Sequence, residues 1–349
     1  MATIIDVARA ADVSVATVSR VLNGKAKVNE LLRERVMDAV TRLHYVPNPT
    51  ARNLRRNESR AILILAPNIT NPYYTHIIAG VGEAAHRHGY SSFLCNTDEN
   101  RSREEQLLRR LPLHQADGAI LLATELSADW LRPYAEQHHL VQCSEFDPTI
   151  DIVHVSIDNY QAARDVMAYL LGLGHQRIGL VSSENSYQST AARTKGYCDS
   201  LLEAELPVTE DYIRKGAVDY TFKSGFNSAR SLLSQERRPT ALFCISDMLA
   251  LGAIAGAREM GFRVPEDVTV VGFDDVEQTT MFHPYVTTIV QPCFDIGFTA
   301  MELLYRMMNG EETERRVILP HSLVVRESSA PRHQHFEDFT AWSLQADKS

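Results

Sequence analysis

The sequence predicts a small all-α head followed by a larger α/β body of two doubly wound, parallel-sheet lobes, and three observations lead there. The chain has 349 residues, too many for one typical domain and suited to a small domain plus a large one. Its first 46 residues carry apolar side chains at helical spacing and no strand-like alternation. From Ala61 onward, short apolar runs alternate with amphipathic stretches, the pattern of parallel strands covered on both faces by helices.

In the head, Thr3 is placed to cap a first helix, and Asp6 three residues later completes a capping box. Val7, Ala8, Ala10 and Ala11 give that helix a small apolar face. Asp12-Val13 makes a turn, and Ser14 caps a second helix over Val15–Leu22. Asn23-Gly24 ends it with residues that tolerate a left-handed backbone. Asn29 caps a third helix running to Leu43, in which Leu32, Val36, Val40 and Leu43 close a miniature core. Pro47 and Pro49 then interrupt helix, so a compact domain of residues 1–46 is expected.

A short helix, a tight turn and a second helix meet the geometric need of a helix-turn-helix, whose second helix presents residues to base edges in the major groove. On helical spacing Val18 and Val21 face inward, while Val15, Ala16, Ser19 and Arg20 face outward. Arg20 can donate two hydrogen bonds to a guanine, and Val15 and Ala16 offer apolar surface to a thymine methyl. Spacing alone also suits, though less well, any small three-helix domain with an incidental surface arginine. Charge favours the DNA reading. The net charge is −9, yet residues 1–60 hold 11 Lys and Arg against 6 Asp and Glu, leaving 24 against 38 in the rest. A basic head on an acidic body confines phosphate contact to the head.

In the body, Ala61–Ala66, Ser91–Leu94, Ala119–Leu122, Leu140–Cys143, Ile178–Val181, Ala241–Cys244 and Val268–Phe273 read as buried strands. Helical stretches lie between most of them, among them Ile77–His86, Ala162–Leu171, Leu249–Met260 and Ile296–Met308. That is too many strands for one small sheet. Two successive lobes account for the number, with a ligand between them at the carboxyl ends of the strands. The body is thus expected over residues 61–328, with a polar and poorly ordered tail at 329–349.

Other classes are excluded by what is missing. No apolar run is long enough to cross a bilayer, and Met1–Asp6 lacks the basic-then-apolar order of a secretory signal. The five cysteines (Cys95, Cys143, Cys198, Cys244, Cys293) are scattered and odd in number. They read as small buried hydrophobes in a reducing cytoplasm. There is no glycine-rich phosphate loop, no HExxH and no GxSxG, and none of the 13 histidines stands in a ligand-spaced cluster. Neither catalysis, a metal nor a cofactor is expected.

Several strings then resemble the lactose-repressor family. They are Ile5-Asp6-Val7-Ala8, Val13–Asn23, Tyr45-Val46-Pro47-Asn48, Ala51-Arg52-Asn53-Leu54, Asn71-Pro72-Tyr73, Gly174–Gly179, Ser246-Asp247, Val271–Asp275 and Thr287–Pro292. They run in the family's order over residues 3–328. The resemblance implies a head that reads double-stranded operator DNA, a periplasmic-binding-protein type body that takes a small effector, and a homodimer on a palindromic site. It implies DNA contacts by Thr3, Ser14, Val15, Ala16, Thr17, Ser19, Arg20 and Asn23. It also makes residues 47–60 a hinge helix and linker: Asn48 near its start, Leu54 as a minor-groove wedge, and Arg52, Arg55 and Arg56 on phosphate. By composition alone the same segment is a solvated basic linker.

For the effector, the resemblance implies Tyr73, Tyr74, Glu145, Arg193, Tyr220, Asp247, Asp274 and Gln291. On the residues alone, Tyr73 and Tyr74 are equally ordinary half-buried tyrosines, and Arg193 is an exposed residue at a helix start. The strings Arg52–Arg60, Ser144–Pro148 and Val155–Asn159 are similar to the cytidine-repressor branch, which controls nucleoside uptake and catabolism. Around Ser186–Ala192 the chain lacks the crowd of polar groups that a purine base would want. A nucleoside such as cytidine is the expected effector, with a sugar or a purine as alternatives. Since the body resembles periplasmic sugar binders, a solute-binding protein is the rival from another class.

Overall fold

A computed structural model of the chain describes residues 2–23, 29–45, 58–216 and 220–329, and it divides into two compact units, 1–59 and 60–349. Asn48, Arg52, Leu54, Arg55 and Arg56, the side chain of Asn23 and the tail beyond 329 lie outside the described residues.

The head holds α1 (Ile4–Ala10), α2 (Val15–Asn23) and α3 (Glu30–Arg42). The caps follow local chemistry. Asp6 N donates to Thr3 Oγ1 while Thr3 N donates to Asp6 Oδ2, closing the capping box. Thr17 N donates to Ser14 Oγ at 3.1 Å, and Leu31 N to Asn29 Oδ1 at 3.0 Å. Between α1 and α2 the chain turns at Asp12, whose φ of 50° suits a short polar residue. Val7, Ala8, Ala11, Val18, Val36 and Ala39 form the buried core.

In the body, the first lobe is a six-stranded parallel sheet. It contains β1 (Ala61–Ala66), β2 (Ser91–Asn96), β3 (Gly118–Leu121), β4 (His139–Cys143), β5 (Val153–Ile157) and β11 (Arg316–Leu319), ordered β2-β1-β3-β4-β5-β11. Against one face pack α4 (Tyr73–Arg87) and α11 (Cys293–Met308). The connections also form α5 (Arg101–Leu108) and α6 (Ala128–Ala135). The second lobe is a parallel sheet ordered β7-β6-β8-β9, from β6 (Ile178–Ser183), β7 (Ile213–Gly216), β8 (Ala241–Cys244) and β9 (Thr269–Val271). Its helices are α7 (Asn159–Gly172), α8 (Gln188–Glu203), α9 (Phe222–Leu233) and α10 (Asp247–Glu259). A short antiparallel pair, β10 (Thr288–Val290) with β12 (Ser322–Val324), extends it.

The chain passes between the lobes three times: from β5 to α7, from β10 to α11 and from β11 to β12. Each lobe also has one helix pair brought to backbone contact by glycines. A Cβ on Gly80 would meet the Phe294 carbonyl at 2.0 Å, and one on Gly297 the Ile77 carbonyl at 2.0 Å; Gly225 and Gly252 do the same for α9 and α10. No helix among the described residues is long and apolar enough to cross a membrane.

All seven expected runs contain strands, but Ser91–Leu94 is not buried. It lies in the edge strand β2, with Phe93 55% and Leu94 46% exposed. Periodicity also passed over β5, β7 and β10 to β12. In β5, valines alternate with His154 and Ser156, and the others are three or four residues long.

Candidate functional site

Two surfaces hold the expected residues. In the head, Ser14, Ala16 and Arg20 are exposed, and Arg20 makes no ion pair among the described residues. Ser19 and Thr17 are half-buried, with the Thr17 hydroxyl 2.9 Å from that of Ser14. Thr3 is exposed, its hydroxyl engaged by Asp6. Val15 departs from the outward position expected of it. It is half-buried against the head core, because the first residue of α2 leans back over the α1–α2 turn.

Between the lobes lies a continuous polar chain at the carboxyl ends of the strands. Tyr73 opens α4, and its hydroxyl lies 2.7 Å from Ser144 Oγ, just past β4, and donates to Gln291 Oε1 at 3.2 Å. Gln291 sits on the crossing from β10 to α11, and its Nε2 donates to Asp274 Oδ1 at 2.8 Å. Asp274, beyond β9, faces Arg193 Nη1 at 3.7 Å. Arg193 donates from Nε to Asn159 Oδ1 at 2.9 Å and from Nη1 to the Ile245 carbonyl at 2.5 Å, while its guanidinium lies over the Phe273 ring at 3.6 Å. Tyr73, Arg193, Asp274 and Gln291 are each buried. Arg193 is thus no exposed helix-start residue: it lies in the second turn of α8, on the face turned to the sheet.

Burial sets the electrostatics. It pushes the Asp274 carboxyl well above the usual carboxylate range, with the Arg193 charge opposing. A backbone φ of 121° at Asp274, rarely taken by an L side chain, marks local strain where the carboxylate is aimed into the cleft. Asp247 is placed behind this array rather than in it. Its Oδ1 accepts from Thr288 Oγ1 at 2.6 Å and its Oδ2 from Val276 N at 2.9 Å, so both oxygens are used in holding the turn that carries Asp274. Burial pushes Asp247 up to about 6.

The first lobe also reaches the amino end of α8. The Glu145 carboxylate accepts from the Ser189 backbone at 3.2 Å and from the Ser189 hydroxyl. Burial raises its pKa while those two bonds oppose. Thr190 Oγ1 lies 2.5 Å from the Tyr220 hydroxyl. In the stretch Ser186–Ala192, the hydroxyls of Ser189 and Thr190 are thus engaged by Glu145 and Tyr220. Beside them, a cavity of about 150 Å³ is lined by Asn71, Tyr74, Glu99, Tyr187, Tyr220 and Met248, among others. Sequence reading also missed Ser144, Asn159 and Phe273. Only Asn159 had a local signal, as the first residue of a helix directly after a strand.

The profile of the bacterial regulatory proteins of the lacI family matches residues 3–48, and that of the periplasmic binding proteins and sugar binding domain of the LacI family matches residues 59–327. Catabolite control protein A of Priestia megaterium is 37% identical over 94% of this chain and 99% of its own length. The HTH-type transcriptional repressor CytR of Escherichia coli K12 is 38% identical over 89% of this chain and 91% of its own. Among solved structures, the Lac repressor dimer bound to operator and the anti-inducer ONPF superposes with a TM-score of 0.86 at 27% identity, covering 95% of this chain and 99% of that one.

Proposed function

The chain belongs to the LacI family of bacterial regulatory proteins, and from that membership we propose a homodimeric repressor whose body senses a cytidine-type nucleoside and so controls genes of nucleoside uptake or catabolism. That it is a DNA-binding transcriptional regulator rather than an enzyme follows from the family itself. The nucleoside reading rests on one observation, the buried Arg193–Asp274–Gln291 array beside a tyrosine-lined cavity. Arg193 and Gln291 donate and Asp274 accepts, which suits two adjacent ribose hydroxyls, while Tyr74, Tyr187 and Tyr220 suit a flat ring. A free sugar would use the first half and leave the second unfilled.

Pairing is supported by large apolar side chains left in solvent on each lobe: Phe93, Leu94 and Leu113 on the first, Met281 and Phe282 (74% exposed) on the second. Two heads would then meet two half-sites of a palindrome, with Arg20 and Ala16 at base edges. If effector and operator prefer different arrangements of the lobes, the ligand is an inducer and each weakens the other; if they prefer the same one, it is a corepressor and each strengthens the other. Such a protein works in the cytoplasm, where the operator is. The test is a thermal-shift screen of cytidine, other nucleosides, purines and pentoses, since only ligands of the native state raise its melting temperature. Cytidine is expected to give the largest shift, and a larger shift with a free pentose or a purine base would overturn the assignment.

A further inference from the structure

Among the polar groups of the cleft, the Tyr187 hydroxyl stands apart. It is buried and has no hydrogen-bond partner among the described residues, whereas the hydroxyls of Tyr73 and Tyr220 are both engaged. A buried hydroxyl left unpaired costs stability, about 1–3 kcal/mol, and is retained where something else uses it. Tyr187 lines the 150 Å³ cavity together with Tyr74 and Tyr220. Glu99, on the loop after β2, lines the same cavity, and no lysine or arginine does. Burial first, and then the charges of Glu99, Glu125 and Glu145, push the ionisation of the Tyr187 hydroxyl far up, so the group is a fixed O–H.

We propose that Tyr187 and Glu99 form a base-edge pair that selects a flat ring carrying an amine next to an unprotonated ring nitrogen, on a ligand without phosphate. This rests on the nucleoside reading above and adds what that reading leaves open, which base and which charge state. A Tyr O–H donates to a ring nitrogen and a carboxylate accepts from an exocyclic amine, the two complementary halves of an aminopyrimidine edge. A keto-pyrimidine sets a carbonyl oxygen against the carboxylate, two acceptors facing each other with no proton between them. A phosphate would meet only acidic and neutral groups in this cavity, and repulsion excludes it. Aromatic side chains suit any such ring without regard to its edge, so the discrimination falls to the two polar groups.

The experiment is calorimetric titration of the full-length protein with cytidine, uridine and cytidine 5′-monophosphate. The native chain is expected to bind cytidine at least about tenfold more tightly than uridine or the monophosphate. Tyr187→Phe should weaken cytidine about tenfold while leaving the melting temperature of the ligand-free protein unchanged or raised, because no bond of the free state is lost. A merely structural tyrosine would lower it. Glu99→Gln should bring cytidine and uridine to within about threefold, since the amide can donate to the keto oxygen. If cytidine and uridine bind the native chain alike, or Tyr187→Phe binds cytidine as the native chain does, the base-edge pair is wrong and the nucleoside reading stands. If no nucleoside binds while a pentose does, both fall.

Discussion

The head and the cleft carry function in opposite ways. On α2, Ala16 and Arg20 stand in solvent, and Arg20 makes no ion pair among the described residues. The head's stability comes from six buried side chains elsewhere and from caps at Thr3, Ser14 and Asn29. In the cleft, Tyr73, Arg193, Asp274 and Gln291 are buried, and each is tied to the next. A site that waits for a partner made of charge and base edges can stay solvated until the partner arrives. One that must take a small ligand in a closed space needs its donors and acceptors fixed beforehand, and the fold then depends on them. Stability and function should therefore separate in the head and be inseparable in the tied array of Tyr73, Gln291, Asp274 and Arg193.

The largest expected effect tests the second half of that contrast. Arg193→Ala removes the only cation ion-paired with Asp274 among the described residues, together with two hydrogen bonds and the stacking on Phe273. Urea unfolding of the body should show a loss of about 3–5 kcal/mol, the range for leaving a buried charge unpaired, and ligand binding should disappear with it. Replacing both partners, Arg193→Leu with Asp274→Leu, should recover most of the stability and none of the binding. If Arg193→Ala unfolds like the native protein, the cleft is as separable as the head and the contrast fails.

Titration sharpens the same point. Burial raises the carboxyls of Asp274 and Asp247 in the folded protein, Asp247 to about 6. The folded state thus holds these protons more tightly than the unfolded chain does. The stabilising contribution is full below the unfolded carboxylate range and is lost as pH rises through the folded value. Surface pairs such as Arg263 with Asp267 run the other way, since Asp267 is held well below the usual range by its arginine. The measurement is therefore a difference: going from about pH 7 to about pH 5, the native protein should gain stability relative to Asp247→Asn. A parallel pair of curves would mean that Asp247 stays ionised in its hydrogen bonds to Thr288 and Val276.

The contrast also explains what could be read before the structure. Caps, turns and the miniature core of the head are local, so Thr3, Ser14 and Asn29 were legible to the residue. In the body, strands buried on both faces announced themselves as apolar runs, and Asp274 and Gln291 by family resemblance. The partners were not legible, because Ser144 meets Tyr73 across 71 positions and Asn159 meets Arg193 across 34, and nothing in either neighbourhood encodes the meeting. Asp247 shows the limit of resemblance: its position in the string was right for the cleft, yet its oxygens are spent inside one lobe. β2 shows the limit of composition, since Phe93 and Leu94 spell a buried strand and lie on an open edge.

In the head the expected effect is smaller and confined to DNA. Arg20→Ala should weaken binding to a specific duplex by roughly 1–3 kcal/mol per half-site, the worth of a bidentate guanine contact, with the melting temperature of the head unchanged. Gel shifts at fixed salt, beside a thermal melt, read both quantities. A drop in melting temperature would show that Arg20 also holds the fold, against its exposed position.

The smallest effect is the most delicate test, because Ser14 stands at the border between the two kinds of residue. It is exposed and at the amino end of α2, where backbone N–H groups and the helix dipole favour a phosphate, but its hydroxyl already accepts from Thr17 N. Ser14→Ala removes the cap and should lower the stability of the head by about 1 kcal/mol. It should also weaken specific and non-specific DNA binding alike, since a phosphate contact carries no sequence. Ser14→Asp separates the roles. Aspartate caps as well as serine, so the melting temperature should return to the native value, while its charge repels the phosphate and binding to every duplex should fall further, most at low salt. If Ser14→Asp restores DNA binding along with stability, Ser14 acts only as a cap, and the DNA-reading surface of α2 begins at Ala16.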